Sequence, residues 1–189
     1  MLILLRHGRT SANAAGLLQG RLDLPLDEVG AAQVRDVATA IGPVDHVITS
    51  SLLRSRETAA AFSTAYTIDD RWIELDYGTY DGRPLGDVAP ELWAQWRTDR
   101  AFALPDGESM AHLDQRVRSA AADALELARS ETVVVVSHVT PIKAAIAWAL
   151  DGDILMSWRC FLEQAAVCRI GLGPDGPILR TFNEVLWTR

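Results

Sequence analysis

The sequence predicts an α/β fold, a three-layer sandwich with a mostly parallel central sheet and helices on both faces. Three observations lead there. Short apolar runs alternate with helical patterns along the chain, as strands joined by crossover helices do. The run Val133-Val134-Val135-Val136 is apolar without alternation, as a strand covered on both faces requires. The 189 residues are 49% hydrophobic and 23% charged, which suits one compact domain with its own core.

The strand candidates are residues 2–5, 46–49, 132–136, 166–170 and 178–182. Asp27 reads as the N-cap of a first helix, with apolar positions Val29, Val34, Val37 and Ile41. Ser50 or Ser51 opens a second helix, through Leu52, Leu53 and a group of alanines to Phe62. Residues 77–107 interrupt the alternation. Prolines and glycines lie near the ends of this stretch, with Trp93, Trp96 and Phe102 inside it, and one helix is expected over Pro90–Thr98. It reads as an insertion within a single 1–189 domain, placed as a lid over the site. Ser109 opens a long third helix with Met110, Leu113, Val117, Ala121, Ala124 and Ala128 on one face. Thr140 as N-cap with Pro141 at the first helical position opens a last helix to about Leu150.

The formal net charge of −7 disfavours nucleic acid and anionic membrane as partners. The two cysteines, Cys160 and Cys168, are too few for a disulfide scaffold and lack CxxC spacing, so both are expected as reduced thiols. The opening MLILLRHG has no basic n-region and too short an apolar run for a secretion signal. No stretch reaches the roughly 18 apolar residues of a membrane span. A cytoplasmic location is expected. Assembly is left open, with a homodimer among the options.

Three of the strand-to-helix junctions end in basic residues. The first strand candidate runs into Arg6-His7-Gly8, the second leads through Ser50-Ser51 to Arg54, and the valine strand runs into Ser137-His138. In open parallel sheets, ligands bind beyond the carboxyl ends of the strands. If these strands are neighbours, Arg6, His7, Arg54 and His138 converge at one edge, where helix N-termini also favour anions. Arginine's planar fork matches phosphate oxygens, and a neutral imidazole is a good nucleophile toward phosphorus. A departing alkoxide needs a proton, and Glu74 sits where a loop would carry it over the pocket.

These motifs resemble those of the histidine phosphatase superfamily, the phosphoglycerate-mutase-like proteins, over nearly the whole chain. Leu5-Arg6-His7-Gly8-Arg9-Thr10 is similar to the family signature. The segments Pro25 to Gly30, Ser50 to Arg54 with Thr58-Ala59, Glu74 to Gly82, Gly107-Glu108-Ser109 and Val136-Ser137-His138 follow in the family's order. The resemblance implies that His7 becomes phosphorylated and that Arg6, Arg54 and His138 bind the phosphoryl oxygens. It also implies that Asn13 and Gln19 help to hold the phosphate and that Glu74 serves as proton donor. It implies a small phosphomonoester as substrate, no metal and no cofactor. Arg9, Val139 and the Tyr80-Asp81 pair depart from the family's common residues, and Arg9 and Val139 stand where they would reshape the pocket mouth.

Four functions compete. A phosphomonoester hydrolase is favoured. A cofactor-dependent phosphoglycerate mutase is the alternative, but the stretch 75–106 is short for it and carries only Arg83, Arg97 and Arg100 as cations. A phospholigand-binding module would need a lost catalytic group. A metallohydrolase would need HxH or HExxH spacing, which the sequence lacks. His46 and His112 are expected to be structural or solvated, Arg9 and Arg56 to flank the site, and Trp93, Trp96 and Phe102 chiefly to pack. A secondary expectation gives those rings a role as an apolar wall for the leaving group. That wall favours ring-bearing or hydrophobic phosphate esters, with α-ribazole phosphate and the broad acid-phosphatase substrates as family examples.

Overall fold

The structure is a computed structural model, and it describes residues 1–188. In chain order the elements are β1 (Leu2–Arg6), α1 (Ser11–Ala14), α2 (Glu28–Ile41), β2 (His46–Thr49), α3 (Leu53–Ala59), β3 (Tyr66–Ile68), α4 (Pro90–Thr98), α5 (Met110–Leu127), β4 (Val133–Ser137), α6 (Val139–Ala149), β5 (Val167–Gly173) and β6 (Gly176–Glu184). The six strands form one sheet in the order β3-β2-β4-β1-β5-β6. The β3-β2, β2-β4 and β4-β1 pairs are parallel, and β5 and β6 close one edge antiparallel. The predicted fold class is the one observed.

Alternation along the central strands builds two cores. Leu2 and Leu4 of β1 and Val133 and Val135 of β4 face a cluster that includes Leu113 and Val117 of α5 and Ile142 and Ile146 of α6. Ile3, Leu5, Val134 and Val136 face the opposite cluster, with Val37 of α2 and Ala59 of α3. All these residues are buried, each stabilising the fold by about 1–3 kcal/mol. From residues 77–107, Trp96 and Leu104 enter the first core.

Register sets the functional edge. Arg6 lies opposite Ser137 in the β1-β4 pair, and Thr49 lies opposite Val136 in the β2-β4 pair. β1 and β4 therefore stop level and β2 one residue earlier, so His7 and His138 emerge side by side, with Ser50 close enough to bond His138.

Several local expectations need correction. The second helix starts at Leu53, not at Ser50 or Ser51, and ends at Ala59. Ser50 is held away by His138 and the Ser51 amide by Asp70. The last helix starts at Val139 with His138 in the N-cap position, which puts Pro141 third. Proline is tolerated there because the first four helical N–H groups have no partner within the helix. Val29 is exposed, and the buried face of α2 runs through Gly30, Gln33, Val34 and Val37. Edge strand β3 and helix α1 were not anticipated. The three side chains of β3 are exposed and carry no burial signal, and α1 is a single turn held by a Thr10–Asn13 capping box.

Candidate active site

His7 follows β1 and remains tied into the sheet. Its N–H bonds to Ser137 O at 3.0 Å, and its carbonyl accepts from Ala165 N at 3.2 Å. Gly8 is needed next, because a Cβ there would come within 2.6 Å of Gly30 O on α2. The nucleophile loop thus rests on helix backbone. Thr58 of α3 completes the clamp: its hydroxyl accepts from Gly8 N (3.2 Å) and donates to Arg54 O (2.8 Å).

The partners of His7 settle its tautomer. Nδ1 lies 2.7 Å from Gly8 O, which can only accept, so Nδ1 carries the proton. Nε2 lies 3.2 Å from Arg54 Nε, which can only donate, so Nε2 holds a lone pair. Burial, then the charges of Arg54 and Arg6, hold the imidazole well below its ordinary range, and it is neutral at pH 7.

Arg54 is fully buried at the start of α3. Its Nη1 donates to Leu22 O at 2.9 Å, and its Nη2 donates to Gly20 O at 2.8 Å and more weakly to Gln19 O at 3.4 Å. One guanidinium therefore fixes the 19–22 loop and also reaches His7. His138 is fully buried, with its ring centroid 5.1 Å from that of His7 and its Nε2 2.7 Å from Ser50 Oγ. Burial, followed by the charges of Arg54, His7, Arg6 and Arg116, holds His138 well below its usual range. Arg6 donates from Nη1 to Leu162 O at 2.7 Å. Burial pushes the pKa values of Arg6 and Arg54 down to about 10, with Glu74 opposing, so both remain charged at neutral pH.

Two buried donors at this edge, Arg6 Nε and the Gln19 amide nitrogen, have no protein partner among the described residues; His138 Nδ1 is unpartnered too, and it is a donor when the Ser50 hydroxyl donates to Nε2. The free end of Gln19 is specified, because its Oε1 already accepts from Thr10 Oγ1 (2.7 Å) and Asn13 Nδ2 (3.3 Å). Asn13 also accepts from Thr10 N through Oδ1, so it orients the loop that carries Gln19, with one Nδ2 N–H left over. Buried donors left unpaired are costly and suit an anion rich in acceptors.

Glu74 is buried at the junction with α6. Its carboxylate accepts from Leu75 N at 2.7 Å and from Thr140 N at 3.3 and 3.4 Å. Its backbone is gripped from α5. Arg116 donates to the carbonyls of Arg71 (2.8 Å), Ile73 (2.7 Å) and Glu74 (3.3 Å) and forms a two-pronged pair with Glu108 at 2.8 Å on each prong. The sequence reading assigned no role to Arg116; it read Ser50 and Thr140 only as helix caps and Thr58 only as part of a motif segment. The only available signal was Glu108 within the Gly-Glu-Ser segment, and nothing in linear spacing joins it to Glu74.

The flanking expectations sort clearly. Arg9 pairs with Asp27 at 2.8 Å, and His46 contacts Glu131 at 2.6 Å, away from His7. His112 is exposed. Asp81 accepts from Gly20 N and Leu22 N at 2.7 Å each, bracing the loop that Arg54 holds. Cys168 is buried, which pushes its thiol up to about 11. Next to Glu74 lies a cavity of about 170 Å³ lined by Tyr77, Trp93, Trp96, Val139, Thr140 and Trp158, among others. Trp93 and Trp96 are thus both packing residues and cavity wall, whereas Phe102 packs against the core without lining the cavity. Among the described residues, no three His, Cys, Asp or Glu side chains cluster as a metal site, and no helix is long and apolar enough to cross a membrane.

Comparison with known proteins adds four findings. The model of the histidine phosphatase superfamily (branch 1) matches residues 2–185. A bifunctional protein of Mycobacterium tuberculosis is 34% identical over 93% of this chain, which spans about half (51%) of that relative's length. A probable phosphoglycerate mutase of Yersinia enterocolitica is 36% identical over 88% of this chain and 82% of its own. Among solved structures, a mutant phosphoserine phosphatase of Entamoeba histolytica in complex with phosphoserine matches with a TM-score of 0.90 and 25% identity, over 97% of this chain and 96% of the other.

Proposed function

The chain belongs to the histidine phosphatase superfamily, and from that membership we propose that it hydrolyses a small phosphomonoester through a phosphohistidine on His7. The observation that carries this reading is the tautomer of His7. Gly8 O holds the proton on Nδ1, and the lone pair of Nε2 is turned toward the charged Arg54, with the second histidine ring 5.1 Å away.

In the proposed reaction Nε2 of His7 attacks phosphorus and the ester P–O bond breaks. Glu74, entering as the acid, gives its proton to the leaving oxygen. The Nδ1–H···O=C bond to Gly8 steadies the positive charge that develops on the ring. Arg6, Arg54, His138 and Gln19 donate to the equatorial oxygens, where charge accumulates, and such preorganised donors supply most of the catalysis in phosphoryl transfer. Water then attacks the phosphohistidine and gives its proton to Glu74, the N–P bond breaks, and inorganic phosphate leaves. Residues 77–107, whose aromatic rings line the neighbouring cavity, serve as a lid over the leaving group. The rings support the reading that esters of ring-bearing or apolar alcohols are preferred.

The name of the Yersinia relative favours a second reading, a phosphoglycerate mutase. A mutase needs cations free to take the substrate's carboxylate and second phosphate. In the insertion, Arg83 lies over the Tyr80 ring, Arg97 lies over the Trp93 ring, and Arg100 pairs with Asp114 and Asp153. Their engagement leaves no free cation among the described residues of the insertion for the second phosphate, which supports hydrolysis. The test is a side-by-side assay of phosphate release from a panel of monoesters and of conversion of 3- to 2-phosphoglycerate. Release without interconversion is expected, and interconversion faster than release would overturn the assignment.

A further inference from the structure

Of the 18 lysines and arginines in the sequence, Lys143 is the one lysine. It lies on α6, one turn after Thr140, whose N–H meets Glu74. Its side chain lines the cavity of about 170 Å³ together with Tyr77, Trp93, Trp96, Thr140 and Trp158. That volume is below the usual range for sites that take drug-sized ligands, and it accommodates about one ring or a short branched chain.

Lys143 shares with Arg56 a half-buried position without a carboxylate partner among the described residues, but Lys143 alone of the two lines the cavity beside Glu74. Arg71, Arg100, Arg116 and Arg118 all pair with carboxylates. Lys143 has neither an ion pair nor a hydrogen bond among the described residues, although it is half-buried. Burial draws its ammonium below the usual lysine range, with Cys160 and Glu74 opposing and Arg6 adding to the fall. A cation desolvated without a counterion is a cost to the fold, and a leucine or methionine would fill the same wall without it. The wall is also rich in donors: the indole nitrogens of Trp96 and Trp158 are buried without a partner. A ligand that complements aromatic faces, free N–H groups and an unpaired ammonium is apolar in its body and anionic at one end.

We infer that Lys143 reads a carboxylate on the alcohol portion of the substrate, so that the preferred phosphomonoesters carry a ring or short apolar body ending in an acid. This rests on the phosphatase reading and narrows its substrate class. Thr140, whose N–H meets Glu74, and Lys143 line the same cavity one helical turn apart, which puts the lysine on the Glu74 side where the leaving group would extend from the scissile bond. Lys143 would then select by charge, while the four rings select by shape.

The test uses matched esters: 3- and 4-carboxyphenyl phosphate, each beside its neutral carboxamide counterpart. For at least one pair, kcat/KM is expected to favour the carboxylate by about tenfold or more, mostly through KM. Lys143→Met should bring that ratio to about one, and Lys143→Arg should keep it above one. Equal kcat/KM for acid and amide in the unaltered protein, with phosphate released from both, would overturn the inference while leaving the phosphatase reading intact. Release from neither ester nor from any simple monoester would remove the phosphatase reading, and this inference with it. A Lys143→Met protein that keeps the carboxylate preference but shows a displaced pH profile would make the lysine a partner of Glu74 and overturn the substrate assignment.

Discussion

At the proposed phosphate end of the site, His7, Arg6, Arg54 and His138 are each held by at least one bond to backbone or to a buried hydroxyl. The wall of the adjoining cavity is built from rings instead: Trp93 stacks on Trp96 at 5.4 Å, and Trp158 meets both edge-on at 5.9 and 5.5 Å. The difference has a physical logic. A transferring phosphoryl group has one shape and charge, so its donors gain from being fixed before the reaction. A leaving group varies from ester to ester, and packing without directional bonds tolerates repacking. Chemistry is therefore expected to be brittle at the first region and adjustable at the second.

The largest effect should come from the nucleophile. His7→Ala is expected to lower turnover by about four orders of magnitude or more with the fold retained, read as phosphate release beside a thermal melt. Retained turnover would break the contrast at its root. Arg54→Met should cost about 10²–10³ in kcat, as loss of a preorganised donor does. It should also lower stability by a few kcal/mol, because the carbonyls of Gly20 and Leu22 lose their donor. A loss of activity with unchanged stability would show that the 19–22 loop does not depend on this tether.

Arg116→Met tests whether a residue distant from phosphorus positions Glu74. It leaves Glu108 as a buried carboxylate without its two-pronged partner, so about 3 kcal/mol of stability should go. kcat should fall about tenfold with little change in KM, since the acid is displaced while the phosphate donors stay in place. Lys in place of Arg116 should rescue poorly, because an ammonium cannot match the fork geometry.

The effect with the least bearing on turnover is a pH dependence of stability. His7 and His138 are held neutral in the folded state well below the ordinary imidazole range. Below about pH 6.5 the unfolded chain takes up protons that the folded chain refuses, so stability falls as pH falls, by about 1.4 kcal/mol per unit for each imidazole. Urea unfolding from pH 7 down to 5 should show this slope. The His7→Asn, His138→Asn double variant should flatten it, and an unchanged slope would show that the two rings are not the source.

Much of this organisation was legible from local sequence. Apolar runs of four or five residues marked β1 and β4, and a basic group after each of three strands marked the edge where His7, Arg54 and His138 meet. Pairing that depends on three dimensions was not legible. Thr58 reaches Gly8 across 50 positions, Ser50 reaches His138 across 88, and Arg116 reaches Glu74 across 42. Each is a single polar residue with no periodic signature. The start of α3 was misplaced for the same reason: Ser50 and Ser51 look like caps, but tertiary partners claim them first. Lys143 was visible as a residue type, and only the packing of α4 and the neighbouring tryptophan shows that it faces a cavity.

Alkaline quench of the enzyme within its first turnovers on a phosphorus-labelled monoester, followed by mass spectrometry of the modified peptide, bears on the nucleophile itself. The label is expected on Nε2 of His7, to accumulate further in Glu74→Gln and to be absent in His7→Ala. Label on Nδ1, or on another residue while phosphate is released at the normal rate, would contradict the tautomer on which the mechanism stands.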